Sequence, residues 1–478
     1  MNKTLKQLHE ELKSGSLTVE ALVESCRKTI DEKDGEIHAL LGVYSEGLIN
    51  AEIFRAKEMF ANGTSTKLTG IPIVLKDNIL VKGERATGGS KILENYIATY
   101  NATVVEKLRD AGAILFGRAN MDEFAMGGST ENSAYGVTKN PTDTTRVAGG
   151  SSGGSAAVVA YGGVPVALGS DTGGSIREPA SFCGIVGLKT TYGRVSRYGV
   201  MALGSSLDQI GPFGKTINDV EEVYKVISGY DKNDSTSLGQ ALDSRHETLD
   251  DTVNTDTMRK VIGVPRVFIE REGVDKEVLK NFNESIEKLK NFGYEIKDIN
   301  IEHLEKALAI YYIIVPAEVS SNLARYDGIR YGLSHPGETS IQSYFESRTA
   351  GFGPEVRRRI LIGTYVLSSG YYDSYYNKAL LVQGMLKKEF ARVFKDVDIV
   401  ATPTSPFPAF KIGEKSQDPI AMYLADIFTV PVNIVGVPAI SIPSGKTENG
   451  LPLGIQFIAP HMREDMLFTI GYDFEKLG

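Results

Sequence analysis

Residues 149–189 read GGSSGGSAAVVAYGGVPVALGSDTGGSIREPASFCGIVGLK. Nine of the first 26 are glycine, against 50 in the whole 478-residue chain. Such density costs conformational entropy on ordering, so it is kept where backbone must come close to something. The small residues 155–160 suit a tightly packed helix, and residues 164–168 (VPVAL) read as a buried strand. The turn Asp171-Thr172-Gly173-Gly174-Ser175 follows that strand.

The same alternation extends outward. Upstream, residues 71–75 (IPIVL) form a short apolar run read as a buried strand, with Lys76 just beyond it. Leu5, Leu8 and Leu12 fall at helical spacing, and a second helix starts after Thr18 with Leu22, Val23 and Cys26 inward. Residues 104–111 read as a helix and 113–116 as a strand, so the chain is expected to adopt an α/β layered fold. Downstream, strands are expected at 261–264, 398–401, 439–442 and 454–458, with a helix at 276–292 and a long helical region at 355–394. The polar stretch 231–256 reads as an exposed connection within one domain spanning 1–478, the catalytic core lying within 60–230.

With 52 basic and 60 acidic residues the net charge is −8, which gives no whole-molecule field for nucleic acid. Two cysteines, Cys26 and Cys183, cannot frame a disulfide network, and a cytoplasmic, reducing compartment fits. The polar N-terminus has no signal-peptide pattern. The longest apolar-looking run, 156–169, is broken by glycines and Pro165 and is too short for a bilayer, so no membrane is expected.

None of the six histidines lies in the glycine-rich region. Residues 149–153 match G-x-S-x-G, but polar NPTDTTRV (140–147) precedes them where a nucleophile elbow needs a strand. Gly214-Lys215-Thr216 ends like a phosphate-binding loop, yet Gln209 stands where its first glycine belongs. No ligand spacing suggests a metal. Two serine-bearing turns and one lysine remain. A serine needs a base to become a nucleophile, and a lysine is a base only when neutral. Its reference pKa of about 10.4 must fall by several units, which desolvation achieves. Val74, Leu75, Ile79 and Leu80 supply an apolar setting for Lys76. A second serine can relay the proton, and a Thr-Gly-Gly-Ser turn offers converging N–H donors to an oxyanion. Taken singly, Lys76 reads equally as an ion-pair partner of Asp77, and each serine turn as plain loop.

Residues 149–189, with IPIVLKDN at 71–78, closely resemble the amidase signature family. The resemblance implies a single α/β domain with a large mixed β-sheet covered by helices on both faces. It implies a Ser–cis-Ser–Lys triad, with Lys76 as base, Ser151 as bridge after a cis peptide, and Ser175 as nucleophile. The oxyanion donors would be the amides of Thr172, Gly173, Gly174 and Ser175. Residues 120–133 (NMDEFAMGGSTENS), 191–199, 205–212, 326–332 and 357–376 further resemble the branch of A subunits of glutamyl-tRNA(Gln) amidotransferases. In that branch the subunit hydrolyses glutamine and passes ammonia to a B subunit. The B subunit binds most of Glu-tRNA(Gln) and uses ATP and magnesium, and a small C subunit braces the two. No cofactor is implied for this chain. Arg359 would hold the substrate carboxylate, Asp426 its ammonium, and Tyr312 would wall the pocket, although a helical tyrosine suits a core equally. Two departures stand out: Thr190 replaces a usual proline, and Glu178 a common glutamine. A stand-alone amidase for another small amide and a non-catalytic scaffold subunit remain alternatives.

Overall fold

A computed structural model describes residues 3–239, 259–415 and 422–477. Its centre is one mixed sheet of eleven strands in the order β1-β3-β2-β4-β6-β5-β10-β11-β9-β7-β8. These are β1 Leu40–Val43, β2 Pro72–Lys76, β3 Ile114–Ala119, β4 Val166–Asp171, β5 Val186–Lys189 and β6 Gln209–Gly214, followed by β7 Val261–Val264, β8 Glu295–Asp298, β9 Ile399–Pro403, β10 Ala439–Lys446 and β11 Pro452–Ile458. β2 runs parallel to both β3 and β4, while β6, β5, β10 and β11 pair antiparallel in the middle. Every residue of β2, β4, β5, β6 and β9 is buried. A strand buried at successive positions is covered on both faces, which is how helices enclose an α/β sheet. The sheet's two edge strands, β1 and β8, are the exposed ones.

The first helix, Leu5–Ser14, is closed by a Thr4–Gln7 capping box and ended by Gly15 at φ 76°, and it buries Leu5, Leu8 and Leu12. Thr18 caps the second, Val19–Ile37, which buries Leu22, Val23 and Cys26 as expected. Elsewhere boundaries move. Lys76 is the last residue of β2 rather than the one after it, and β4 runs on through Asp171. The helix expected at 155–160 begins at Gly153. The long helical region expected over 355–394 is two helices, Pro354–Val366 and Lys378–Asp396. Between them Gly370 takes φ +90°, which no helix accommodates, and Asp373–Asn377 forms a π-turn.

The polar stretch read as an exposed connection over 231–256 is described only as far as residue 239, where exposed Lys232, Asn233 and Ser235 alternate with buried Asp231 and Asp234. Asp231 accepts hydrogen bonds from Thr103 and Ser196, and Asp234 pairs with Arg197, leaving both acids under a tenth exposed. Residues 240–258, including His246, lie outside the described residues. One expectation, that the longest apolar-looking run is 156–169, needs correction. Leu304–Arg325 is long and apolar enough to cross a bilayer by length and composition. Here it packs as a core helix, with Ile310, Tyr311, Ile314, Val315 and Val319 buried.

Candidate active site

β2 carries Lys76 into the centre of the molecule, where the side chain is 0 % exposed. Its Nζ lies 2.7 Å from Ser151 Oγ, 2.9 Å from Ser170 Oγ and 3.4 Å from the Ser170 carbonyl. Ser170 Oγ also accepts from Asn78 Nδ2 at 3.1 Å, which fixes it. Among the described residues no carboxylate pairs with the amine. Asp77, its sequence neighbour, pairs instead with Arg118 at 2.7 Å. Burial therefore pushes the Lys76 ammonium down to about 7, against the weaker pull of Asp122, Asp171 and Asp208. A neutral amine with two hydroxyl partners can donate to one and accept from the other.

The Gly150–Ser151 peptide is cis. Ser152 N–H donates to the Ser175 carbonyl at 3.3 Å, which joins the turn bearing Ser151 to the turn bearing Ser175. Among the described residues Ser175 Oγ makes no hydrogen bond, and the residue is 7 % exposed. The N–H groups of Thr172, Gly173, Gly174 and Ser175 likewise donate to no described group, whereas the next amide, Ile176, binds Asp171 Oδ2. Consecutive unpaired amides around a free hydroxyl form a site for negative charge. The glycines are required there. A Cβ on Gly173 would lie 2.7 Å from the Tyr311 ring, and one on Gly174, at φ +145°, would lie 2.4 Å from Thr429 Oγ1.

A cavity opens beside this turn, lined among others by Gly128, Ser129, Tyr312, Arg359, Tyr423 and Asp426. Arg359 is 4 % exposed and gives its Nε to Glu355 at 2.8 Å. Its guanidinium stands 5.3 Å from the centre of the Tyr312 ring, which stacks on Tyr423 at 3.8 Å. Its two terminal nitrogens donate to no described residue. On the other side, the Asp426 carboxylate makes neither hydrogen bond nor ion pair among the described residues, and Oδ1 lies 3.1 Å from where a Gly174 Cβ would be. Tyr312 thus walls the cavity, and its neighbour Tyr311 is the core residue beneath Gly173.

A family profile described as Amidase matches residues 21–468. The chain belongs to the amidase family. This amidase is 51 % identical over 474 residues to the glutamyl-tRNA(Gln) amidotransferase A subunit of Thermoanaerobacter pseudethanolicus, covering 99 % of this chain and 96 % of the relative. The corresponding protein of Syntrophus aciditrophicus is 47 % identical over the same shares. The crystal structure of the glutamyl-tRNA(Gln) amidotransferase A subunit from Thermotoga maritima superposes with a TM-score of 0.78 at 41 % identity, covering 98 % of this chain and 93 % of that one. A 6-aminohexanoate cyclic dimer hydrolase solved with its substrate gives 0.83 at 26 % identity, covering 99 % and 97 %.

The amidase also holds residues that the motifs do not point to. Arg177 is fully buried and doubly bonded to Asp171, at 3.1 and 2.9 Å, across the turn that carries Ser175. Its remaining N–H groups reach the Thr429 carbonyl at 3.0 Å, Gln456 Oε1 at 2.6 Å and Asn433 Oδ1 at 2.5 Å. Burial pushes the Asp171 carboxyl up, yet Arg177, Lys189 and Asn433 outweigh it and hold it at about 2. Thr429 Oγ1 donates to the Gly173 carbonyl at 2.7 Å, and Asp208 accepts from Thr172 Oγ1 at 2.7 Å. Each bond holds a carbonyl or hydroxyl of the turn in a fixed place. Removing one member of a buried ion pair strands the other charge, so Arg177→Met is expected to destabilise the fold by about 3–5 kcal/mol. Thermal or urea unfolding checks this, and an unchanged midpoint contradicts it.

Proposed function

We propose that this amidase is the glutamine-hydrolysing subunit of a tRNA-dependent amidotransferase. The observation that carries the reading is that two opposite charges, Arg359 and Asp426, line one cavity, and that Asp426 Oδ1 lies 3.1 Å from where a Cβ on Gly174, the neighbour of Ser175, would be. A cation with free N–H groups and a free carboxylate suit the two ends of a zwitterionic amino acid. The side chain of glutamine then points its amide toward Ser175.

Ser175 Oγ attacks the amide carbon while its proton passes to Ser151, whose own proton moves to neutral Lys76. The amides of residues 172–175 take the charge that forms on the carbonyl oxygen. The C–N bond breaks as the same relay, run backward, protonates the departing nitrogen, and ammonia leaves an acyl-enzyme. Water replaces it, giving glutamate and restoring the Ser175 hydroxyl.

Ammonia made in this way is consumed by a partner. Leu361 and Leu381 are about 70 % exposed, and Tyr365, Tyr371, Tyr372 and Tyr375 are close to half exposed on neighbouring helical segments. Clustered exposed apolar residues of this kind mark interaction surfaces. In this reading B and C subunits complete the assembly, the B subunit holds Glu-tRNA(Gln) with ATP and magnesium, and the complex works in the cytoplasm. The full-length likeness to A subunits of such enzymes supports it.

Glutamine hydrolysis by the purified chain with its partners tests the reading. No turnover of glutamine, with turnover of a simple aliphatic or aryl amide, sinks it. Losing the bonds to a charged carboxylate costs about 1.5–3 kcal/mol, so Arg359→Ala is expected to raise KM for glutamine by about 10- to 150-fold. An unchanged KM removes Arg359 from substrate binding.

A further inference from the structure

Glu178 follows Ser175 by three residues and is 0 % exposed. Its Oε2 accepts from Gly150 N–H at 3.0 Å and so steadies the peptide leading into Ser151. Its Oε1 has no hydrogen-bond partner among the described residues. That oxygen sits behind the cavity wall at Gly128. A Cβ on this glycine would lie 3.8 Å from Glu178 Oε1 and 3.8 Å from Met422 Sδ, and both Gly128 and Met422 line the cavity. Asp426, the cavity's unpaired carboxylate, lies beside Gly174, whose carbonyl accepts the Glu178 N–H at 2.9 Å. One acid, Asp426, therefore lines the cavity and the other, Glu178, lies behind its wall at Gly128, and among the described residues no cation pairs with either.

Building on the glutamine reading, we propose that Glu178 and Asp426 form a carboxyl pair that keeps a proton while the cavity is empty and releases it to solvent when a substrate ammonium group binds. The surroundings favour this exchange. Asp426, Asp122 and Asp171 are the charged neighbours acting on Glu178, and all are acidic. Arg177 is committed to Asp171, and Arg359 attracts Asp426. The buried Cys183 thiol, on the helix that carries Glu178, is pushed up by burial and adds no charge. Burial pushes Asp426 up to about 7 and Glu178 well above the usual carboxylate range. An ammonium group brings one positive charge and three N–H donors, and one carboxylate does not satisfy them all. With it in place both acids can ionise, and one proton departs.

Proton release on binding makes affinity rise with pH, by at most about tenfold per unit for one proton. The test is calorimetric titration of glutamine into the full chain, co-purified with its partners and carrying Ser175→Ala, in buffers of different ionisation enthalpy between pH 6 and 8. Release of close to one proton at pH 6–7, with Kd falling as pH rises, is expected. Adding Glu178→Gln keeps an acceptor for Gly150 N–H but removes the second acid, and is expected to cut the release and flatten the pH dependence of Kd. Equal release and equal slope in the two proteins overturn the proposal and leave Glu178 a brace. Absence of release in the Ser175→Ala protein overturns it whatever the second variant does. A Ser175→Ala protein that does not bind glutamine at all overturns the substrate reading, and this proposal with it.

Discussion

Ser175→Ala is expected to lower glutamine hydrolysis by at least about 10³-fold while the fold is retained. The hydroxyl is barely exposed and bonds to no described group, so its removal disturbs no structural contact. What disappears is the covalent route. The remaining turnover comes from an oxyanion site and a cavity that can still bind the substrate but have nothing to attack it with. Steady-state ammonia release measures the loss, and circular dichroism with a melting curve confirms folding. A variant that keeps a tenth of the activity would assign the nucleophile elsewhere. Mass spectrometry after treatment with an electrophilic glutamine analogue gives the complementary result, an adduct on Ser175 in the parent and none in the variant.

Lys76→Met removes the amine with little change of shape and is expected to cost about 10²–10⁴-fold in kcat, the range of general acid–base catalysis. The parent enzyme carries the sharper test. Its working form is the neutral amine, whose share grows as pH rises through about 7, so kcat/KM climbs through that region and levels off above it. The direction follows from burial, which disfavours the ammonium with no described carboxylate paired to restore it. A kcat/KM that stays level down to pH 5 would show that a cationic Lys76 supports turnover, and the relay would fail.

Most of the candidate site is legible in the sequence because it is local. Ser151, Ser175 and the four amides fall within one glycine-rich stretch, and Lys76 closes a short apolar strand whose burial its neighbours announce. Strands β5 and β6 escape such a reading, since glycine and proline dilute their apolar pattern. Gly211 in β6 is there for packing: a Cβ would fall 1.9 Å from the Leu188 carbonyl. The long helical region expected over 355–394 is interrupted near Gly370, a residue that helical periodicity alone does not weigh. Tyr311 and Tyr312 are adjacent in the sequence, and only the packing shows that one underlies Gly173 and the other faces the cavity. Arg177 can be suspected from its place six residues after Asp171, but its other partners cannot. They lie more than 250 positions away and meet it only in the finished sheet.

That last distance bears on how the enzyme is made. A chain emerging from the ribosome presents Lys76, Ser151 and Ser175 well before Thr429, Asn433 and Gln456, whose bonds hold Gly173 and Arg177 in place. The turn gains those bonds only after Gln456 has been made. A copy halted before that point lacks the contacts that hold the turn.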